Sequence, residues 1–321
     1  MFKSEHIPTE TPTPARASGA VASFFGPDDC VFLEGIFARF PDIGVAFNTY
    51  LIMPAANRPE AAMEDLDRLP RIGPVLRRIP SPETVFDHSK RLGAKARALA
   101  EEIYKNPAIL KLTEKEKELY KNELPPETAD PKERAAHLEK FAAHLEALAD
   151  AHDLPEALVT DFPPNETQSN PNKHITKVEK KRLEKLAARI IYEGDPTGMA
   201  CYEEYEAKQT LSAQLLSDLD KIDPCHLALI YETQGDKRTA NGDKDNSNFE
   251  SHVVTAREKL LTAYGRAELD ALERNADTIR EKARDFMENG FVTSEGKRLR
   301  PIGTHAGLVR SEKRSGLGGR D

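Results

Sequence analysis

Three separate stretches of the chain carry ionisable side chains within an otherwise apolar helical pattern. The residues are His88, the adjacent pair His152 and Asp153, and Asp220. Such groups are costly to bury unless they are paired or bind a metal. Imidazole nitrogens together with carboxylate oxygens suit divalent first-row metals, and a site without cysteine leaves room for bound water. The pattern therefore indicates hydrolysis by metal-activated water, aided by a proton-transfer group and by arginines that hold an anion.

The periodicity around these residues predicts the helices that position them. Apolar residues recur at steps of three and four within 85–104, 131–158 and 207–231. They share a face with His88 in the first range, with His152 in the second and with Asp220 in the third. Glu156 follows His152 by four residues, so it is predicted on the same helical face, where it could transfer a proton. A capping box from Thr176 to Glu179 predicts a further helix over 176–191, and its Lys and Arg residues are interpreted as a solvated face.

Composition argues against several classes of partner. The formal net charge is −8 and tryptophan is absent, so the chain as a whole offers neither a basic surface nor many stacking platforms for nucleic acid. The apolar stretch over 43–57 is shorter than the ~20 residues that span a membrane. Cys30, Cys201 and Cys225 are far apart and odd in number, which favours reduced thiols and a cytoplasmic location. A small anionic ligand would need a local basic cluster.

The organisation that we predict is all-α, with one central domain and several additions. The ranges are a disordered leader over 1–27, an N-terminal extension over 28–59, the central domain over 60–250, C-terminal helices over 251–291 and a flexible tail over 292–321. Residues 106–132 are predicted to be an insertion that holds a short charged helix over 113–122. Because this insertion joins two ligand-bearing helices and has few apolar anchors, we expect a pocket lid or a contact surface there.

Four segments carry a resemblance to a known family. In chain order they are RIGPVLRRIPSPETVFDH, LADAHDLPEALVTDFPPNE, ITKVEKKRLEKLA and YEEYEAKQTLSAQLLSDLDK. They resemble the successive signatures of HD-domain 5′-deoxynucleotidases across most of residues 60–235. The resemblance implies an HD-domain helical bundle, here with N- and C-terminal helical extensions and the insertion.

The resemblance also implies a set of site residues. The metal ligands of the family fall on His88, His152, Asp153 and Asp220, and its two further acids fall on Glu156 and Asp161. Its phosphate-contacting arginine falls on Arg71, with Arg77 in the next matching position and Arg78 as a neighbour. The cofactor implied is one divalent ion, which could be Mn, Co, Mg, Fe or Zn. Metal-bound water would remove phosphate from (deoxy)nucleoside 5′-monophosphates, and a homodimer is a common state in the family.

The chain departs from the family pattern in two places. His88 and His152 are 64 residues apart, which exceeds the usual spacing, and Pro74 replaces an aromatic residue after the first arginine. These departures leave the substrate open. Two alternatives to a monophosphate hydrolase are a non-catalytic regulator that keeps the metal-binding fold and a hydrolase of another phosphoester, such as a nucleoside triphosphate.

Overall fold

The structure is a computed structural model, and it describes residues 19–71, 83–126, 130–161, 175–233 and 248–289 together with three short strands near the C-terminus. The helices are α1 (Gly19–Phe24), α2 (Pro27–Arg39), α3 (Pro41–Ile52), α4 (Arg58–Arg68), α5 (Val85–Lys105), α6 (Glu114–Leu119), α7 (Pro131–Ala151), α8 (Glu156–Val159), α9 (Lys177–Ile191), α10 (Pro196–Ala207), α11 (Leu211–Thr233), α12 (Asn248–Arg257), α13 (Ala263–Arg274) and α14 (Ala276–Asn289). Short 3-10 turns cover Ala55–Asn57 and Pro107–Leu110. The all-α prediction is confirmed for this helical body.

Helices α5 and α7 form an antiparallel pair at the centre of the fold. Lys90 near the start of α5 donates to Asp150 near the end of α7, and Arg97 further along α5 donates to Glu146 on the preceding turn of α7. The two helices are in close contact at Gly93, where an added Cβ would lie 3.8 Å from the Ala149 side chain, an ordinary van der Waals distance. The start of α5 and the end of α7 are therefore neighbours, and each carries a predicted histidine.

Helix α11 crosses this pair and joins two hydrophobic cores. Its first half packs with α5, α7 and α10, whereas residues from Ile222 onward pack against α12, α13 and α14. Asp218 fastens the C-terminal helices to α11, because its buried carboxylate accepts hydrogen bonds from the backbone N–H groups of Leu261 and Thr262 at 2.7 and 2.9 Å. A third bond comes from the Thr262 hydroxyl at 2.6 Å.

The predicted disordered leader over 1–27 needs correction at its C-terminal end. Residues 19–24 form α1, and Val21 and Phe25 are buried in the main core. These apolar side chains pack with α2 and α3, so burial orders a segment whose composition alone suggested disorder.

The helix predicted over 131–158 is also wrong in its last part. Helix α7 ends at Ala151, His152 is its C-cap, and Glu156 begins the separate short helix α8. The proline at position 155 explains the break, because it lacks an N–H group and its ring would clash with the Ala151 carbonyl. Glu156 therefore lies beyond a turn and does not share the helical face of His152.

The insertion over 106–132 is anchored and lies away from the predicted site. Leu110 and Tyr120 are buried, and the Glu123 carboxylate accepts hydrogen bonds from the backbone N–H groups of Leu211 and Ser212 at the start of α11. It joins the end of α5 to the start of α7, which are the ends opposite the histidines. A helix rises 1.5 Å per residue, so the end of α5 lies about 25 Å from His88. The described part of the insertion is not a mobile lid over the histidines.

A small antiparallel sheet begins at Phe291 and continues into the segment predicted as a flexible tail over 292–321. Strand β1 (Phe291–Val292) pairs with β2 (Arg298–Pro301), which pairs with β3 (Val309–Ser311). The alternation of Arg and Leu over 298–300 has the two-residue period of a strand, which the prediction overlooked. Within the described part of the chain, no helix is both long enough and apolar enough to cross a membrane.

Candidate metal centre and its surroundings

The side chains of His88, His152, Asp153 and Asp220 converge in the structure. His88 Nε2 lies 3.1 Å from Asp220 Oδ1 and 3.9 Å from Asp153 Oδ2. His152 Nε2 lies 3.0 Å from the same Asp153 oxygen and 4.0 Å from the same Asp220 oxygen. Both imidazoles are buried, and the capping box of Thr84 fixes the first turn of α5, which carries His88. The turn after α7 lets the consecutive residues His152 and Asp153 face one point.

The second nitrogen of each imidazole is held by a hydrogen bond to the protein. Nδ1 of His88 lies 3.0 Å from the buried carboxylate of Asp223, and Nδ1 of His152 lies 2.7 Å from the Ala149 carbonyl oxygen. If Nδ1 of each imidazole carries the proton, its N–H donates to the acceptor just named. The lone pair of each Nε2 is then directed at the carboxylates of Asp153 and Asp220. His152 Nε2 is buried and makes no hydrogen bond within the described structure.

These atoms fit a divalent metal ion. The four nitrogen–oxygen separations lie between 3.0 and 4.0 Å, so both imidazoles and both carboxylates could contact one ion. His88, His152 and Asp153 alone already form a cluster of mutually close donor atoms. Two imidazoles and two carboxylates could thus hold one ion and leave coordination positions for other ligands.

The carboxylates of this cluster are held in the charged form. Burial alone would raise the pKa of Asp153, but the neighbouring imidazoles of His152 and His88 outweigh it and keep that pKa below its ordinary value. The pKa of Asp220 is likewise lowered against the effect of burial, chiefly by Lys221 and then by His88. Both acids can therefore bind a cation without first losing a proton.

Glu156 lies beside the cluster in a different electrostatic setting. Burial and the neighbouring Asp153 charge raise the pKa of Glu156 well above its ordinary value, whereas Lys180 acts in the opposite direction. The Lys180 ammonium lies 3.2 Å from Glu156 and 3.3 Å from Glu184. The sequence suggested that the charged face of α9 is solvated. Lys180 is half-buried, so this face is not wholly solvated. Asp161 follows α8 and interacts electrostatically with Glu156 and Lys180.

Arg71 also lies near the cluster. Its guanidinium is 3.7 Å from Glu83, and its backbone N–H donates to the Glu83 carbonyl. Burial would lower the pKa of Arg71, but Asp153 and Asp161 raise it above its ordinary value, so the arginine stays charged beside the cluster. Arg77, the second predicted phosphate contact, and Arg78 lie outside the described residues.

Sequence reasoning missed the role of Asp223. Its carboxylate is fully buried and binds His88, Arg91 and Lys95. The available signal was its spacing, because a residue three positions after Asp220 lies on the same side of a helix. Asp218, which also flanks Asp220 in sequence, is fully buried on the opposite side of α11.

The chain is similar to several known proteins. Residues 135–260 match the HD domain family, a range that includes His152, Asp153 and Asp220. The chain is 26% identical over 172 residues to 5′-deoxynucleotidase HDDC2 of Xenopus laevis, an alignment that covers 52% of this chain and 64% of that relative. A solved structure of a conserved hypothetical protein from Pyrococcus furiosus is 25% identical, with a TM-score of 0.41 and coverage of 70% of this chain and 97% of that one. The chain is thus similar to the HD domain family over residues 135–260 and more distantly to a 5′-deoxynucleotidase, and the converging histidines and aspartates accompany both similarities.

Proposed function

We propose that this protein is a metal-dependent phosphohydrolase that removes phosphate from (deoxy)nucleoside 5′-monophosphates. The observation that carries the proposal is the buried Nε2 atom of His152, which has no hydrogen-bond partner in the described structure and faces two charged carboxylates. A buried imidazole nitrogen without a partner is unfavourable, and a metal ion would satisfy it together with both carboxylates. In this proposal His88, His152, Asp153 and Asp220 hold one divalent ion.

The bound ion would lower the pKa of a coordinated water and offset charge on the phosphoryl oxygens. The protein residues around it supply the remaining needs of the reaction. Arg71 is charged beside the cluster and would bind the phosphate of the substrate. The raised pKa of Glu156 keeps its carboxyl group protonated to a higher pH than a carboxyl group in water. Glu156 would therefore move the proton that hydrolysis requires.

Lys180 and Asp161 would assist without touching the ion. Lys180 stays charged because Glu156 and Glu184 raise its pKa against the effect of burial, so it can fix the orientation of the Glu156 carboxyl group. Asp161 adds negative charge near Glu156 and Arg71, and we retain it as a second candidate for proton transfer. A small-molecule nucleotide is the partner in this proposal, and a homodimer stays a prediction.

The decisive experiment measures metal content and hydrolysis in the same preparations. Purified protein would be supplied with Mn²⁺, Co²⁺ or Mg²⁺ and screened against deoxynucleoside monophosphates while released phosphate is measured. His152→Ala and Asp153→Ala should lose metal by elemental analysis and lose activity while their helical content is unchanged. Unchanged metal content in both variants would refute the ligand set.

A second pair of variants tests whether Glu156 itself transfers a proton or whether the loss of any carboxylate near Lys180 has the same effect. Glu156→Gln should keep its metal and lose about 10²-fold in kcat, the usual scale for a proton-transfer group. Glu184→Gln is the matched control, because it removes the other carboxylate that contacts Lys180. Equal losses in the two variants would reassign Glu156 as a structural residue.

A further inference from the structure

Two short backbone segments pair with each other at the start of α5. The Arg71 N–H donates to the Glu83 carbonyl oxygen, and the Val85 N–H donates to the Leu69 carbonyl oxygen, each at 2.9 Å. This antiparallel bridge joins the residues that follow α4 to the first turn of α5, which carries His88. The main chain at Arg71 and Glu83 is therefore fixed side by side.

The Glu83 carboxylate lies between two arginines. Its Oε1 atom is 3.7 Å from the Arg71 guanidinium, and its Oε2 atom is 2.5 Å from the Arg91 guanidinium. The Glu83 side chain is only 10% exposed, so little water screens either pair. One shielded carboxylate thus contacts a different arginine with each of its two oxygens.

Arg91 continues these contacts toward the metal centre. A second nitrogen of its guanidinium is 2.5 Å from Oδ2 of Asp223, and the same oxygen lies 3.0 Å from Nδ1 of His88. Oppositely charged side chains therefore alternate from Arg71 to the imidazole, and Glu83 is the member that joins Arg71 to them. Donor atoms of Glu83, His88 and Asp223 also lie close together, but the Arg91 guanidinium already bridges the two carboxylates in place of a metal ion.

A carboxylate in this place could act by its charge or by its reach. As a counter-charge, Glu83 would reduce the positive potential that Arg71 offers to an anion, so its removal would tighten anion binding. As a positioning residue, it would hold the guanidinium in the orientation that binds the anion, so its removal would weaken binding. The backbone bridge favours positioning, because it fixes the main chain of Arg71 and leaves the orientation of the long side chain to its ion-pair partner.

We propose that Glu83 is a positioning residue, which holds the Arg71 guanidinium toward an anion at the metal centre. The identity of that anion, the phosphate group of the substrate, rests on the proposed function. Arg91 in turn holds the Glu83 carboxylate against α5, so the arginine that binds phosphate and the helix that carries His88 keep a fixed relative placement.

Two substitutions of Glu83 separate charge from reach. Glu83→Asp keeps the negative charge but is one methylene group shorter, so it cannot contact both arginines at the present distances, whereas Glu83→Gln keeps the length and loses the charge. Binding of inorganic phosphate to the full-length protein would be measured by calorimetry at a fixed excess of Mg²⁺. Positioning predicts about fivefold weaker binding in both variants, the scale of one partly exposed ion pair. A counter-charge predicts unchanged binding in Glu83→Asp and tighter binding in Glu83→Gln.

Glu232→Gln is the matched control. Glu232 is a similarly shielded carboxylate that lies 2.9 Å from the Arg280 guanidinium, about 18 Å beyond Asp220 along α11. This variant should lower the thermal unfolding temperature without changing the affinity for phosphate. The affinity for Mn²⁺ should change by less than about twofold in all variants, because Lys95 stays 2.6 Å from Asp223. In hydrolysis assays of the Glu83 variants, KM should rise by a larger factor than kcat falls.

The outcomes are distinct for Glu83 and for the proposed function. Tighter phosphate binding in Glu83→Gln, wild-type affinity in Glu83→Asp, or changes no larger than those of Glu232→Gln would overturn the positioning role even if monophosphates are hydrolysed. Equal losses of Mn²⁺ and phosphate affinity would also overturn it, because the whole site would then be disturbed. Weaker phosphate binding in both Glu83 variants, together with a wild type that hydrolyses no nucleotide, would support the positioning role and refute the hydrolase.

Discussion

Two buried aspartates on α11 permit a matched test of how the metal centre is held. Asp223 and Asp218 are both fully buried, and both flank Asp220 in sequence. Asp223 binds Nδ1 of His88 at 3.0 Å, whereas Asp218 binds the backbone of Leu261 and Thr262 on the other side of the helix. Asparagine has nearly the same size as aspartate, so each substitution removes a charge without creating a cavity. The two variants should therefore fail in different ways.

Asp223→Asn should weaken metal binding. Loss of a carboxylate that orients a metal-binding histidine typically costs 10- to 100-fold in affinity. The asparagine oxygen can still accept from His88, so we expect about tenfold, or about 1.4 kcal/mol. The metal-free protein should also lose about 1 to 3 kcal/mol of unfolding free energy, because Arg91 and Lys95 lose their shared partner but are partly exposed to water.

Asp218→Asn should destabilise the fold and leave the metal centre intact. Its carboxylate accepts three hydrogen bonds, at 2.7, 2.9 and 2.6 Å, and an amide nitrogen cannot accept any of them. The expected loss of unfolding free energy is about 2 to 3 kcal/mol, the scale for a buried hydrogen bond to a charged group. The affinity for the metal should change by less than about twofold.

Both quantities can be measured on the same proteins. Mn²⁺ affinity would be determined by competition with a chelating dye, and unfolding free energy by urea titration in the presence of a strong chelator. If Asp223→Asn binds Mn²⁺ as tightly as the wild type, or if Asp218→Asn weakens binding as much as Asp223→Asn does, the assignment of His88 as an oriented ligand is wrong.

Three further predictions concern other parts of the molecule. Glu123→Ala should lower the unfolding free energy by about 1 kcal/mol, because its carboxylate caps the start of α11, and should leave kcat/KM unchanged since the insertion lies away from the metal centre. Burial would raise the pKa of Glu179, but hydrogen bonds from Thr176 and an ion pair with Arg39 lower it. The stabilising effect of Glu179 is therefore present above the ordinary glutamate pKa and is lost as the pH falls through the lowered value. Urea titrations of Glu179→Gln should accordingly show about 1 kcal/mol of destabilisation at pH 7 that shrinks below about pH 4, and a constant difference would contradict the argument. Burial raises the pKa of Cys225 to about 12 and also raises the pKa of Cys201. A thiol reagent at neutral pH should therefore modify Cys30 first in the folded protein. Early labelling of Cys201 or Cys225, detected by mass spectrometry, would be evidence against the core packing.

The helices could be predicted largely from local sequence. The apolar repeat over 85–104 matches α5, and the capping box at Thr176 begins α9 as predicted. The end of α7 was misjudged although Pro155 was visible, because the apolar repeat continues on both sides of it. The same break directs both His152 and Asp153 to one point, which a continuous helix would hinder since consecutive residues differ by about 100° in direction.

The sequence by itself indicated that His88, His152 and Asp220 share apolar helical faces, because burial on a helix follows a period that neighbouring residues reveal; the structure places His88 and Asp220 within helices and His152 at the C-cap of α7. Only the tertiary structure decided what surrounds them. Asp223 is an anchor of His88 rather than a surface acid because α5 packs against α11, and Lys180 turns inward because α8 brings Glu156 to it. Contacts between distant parts of the chain depend on how helices pack, and a repeat within one helix holds no information about which partner will cover its face.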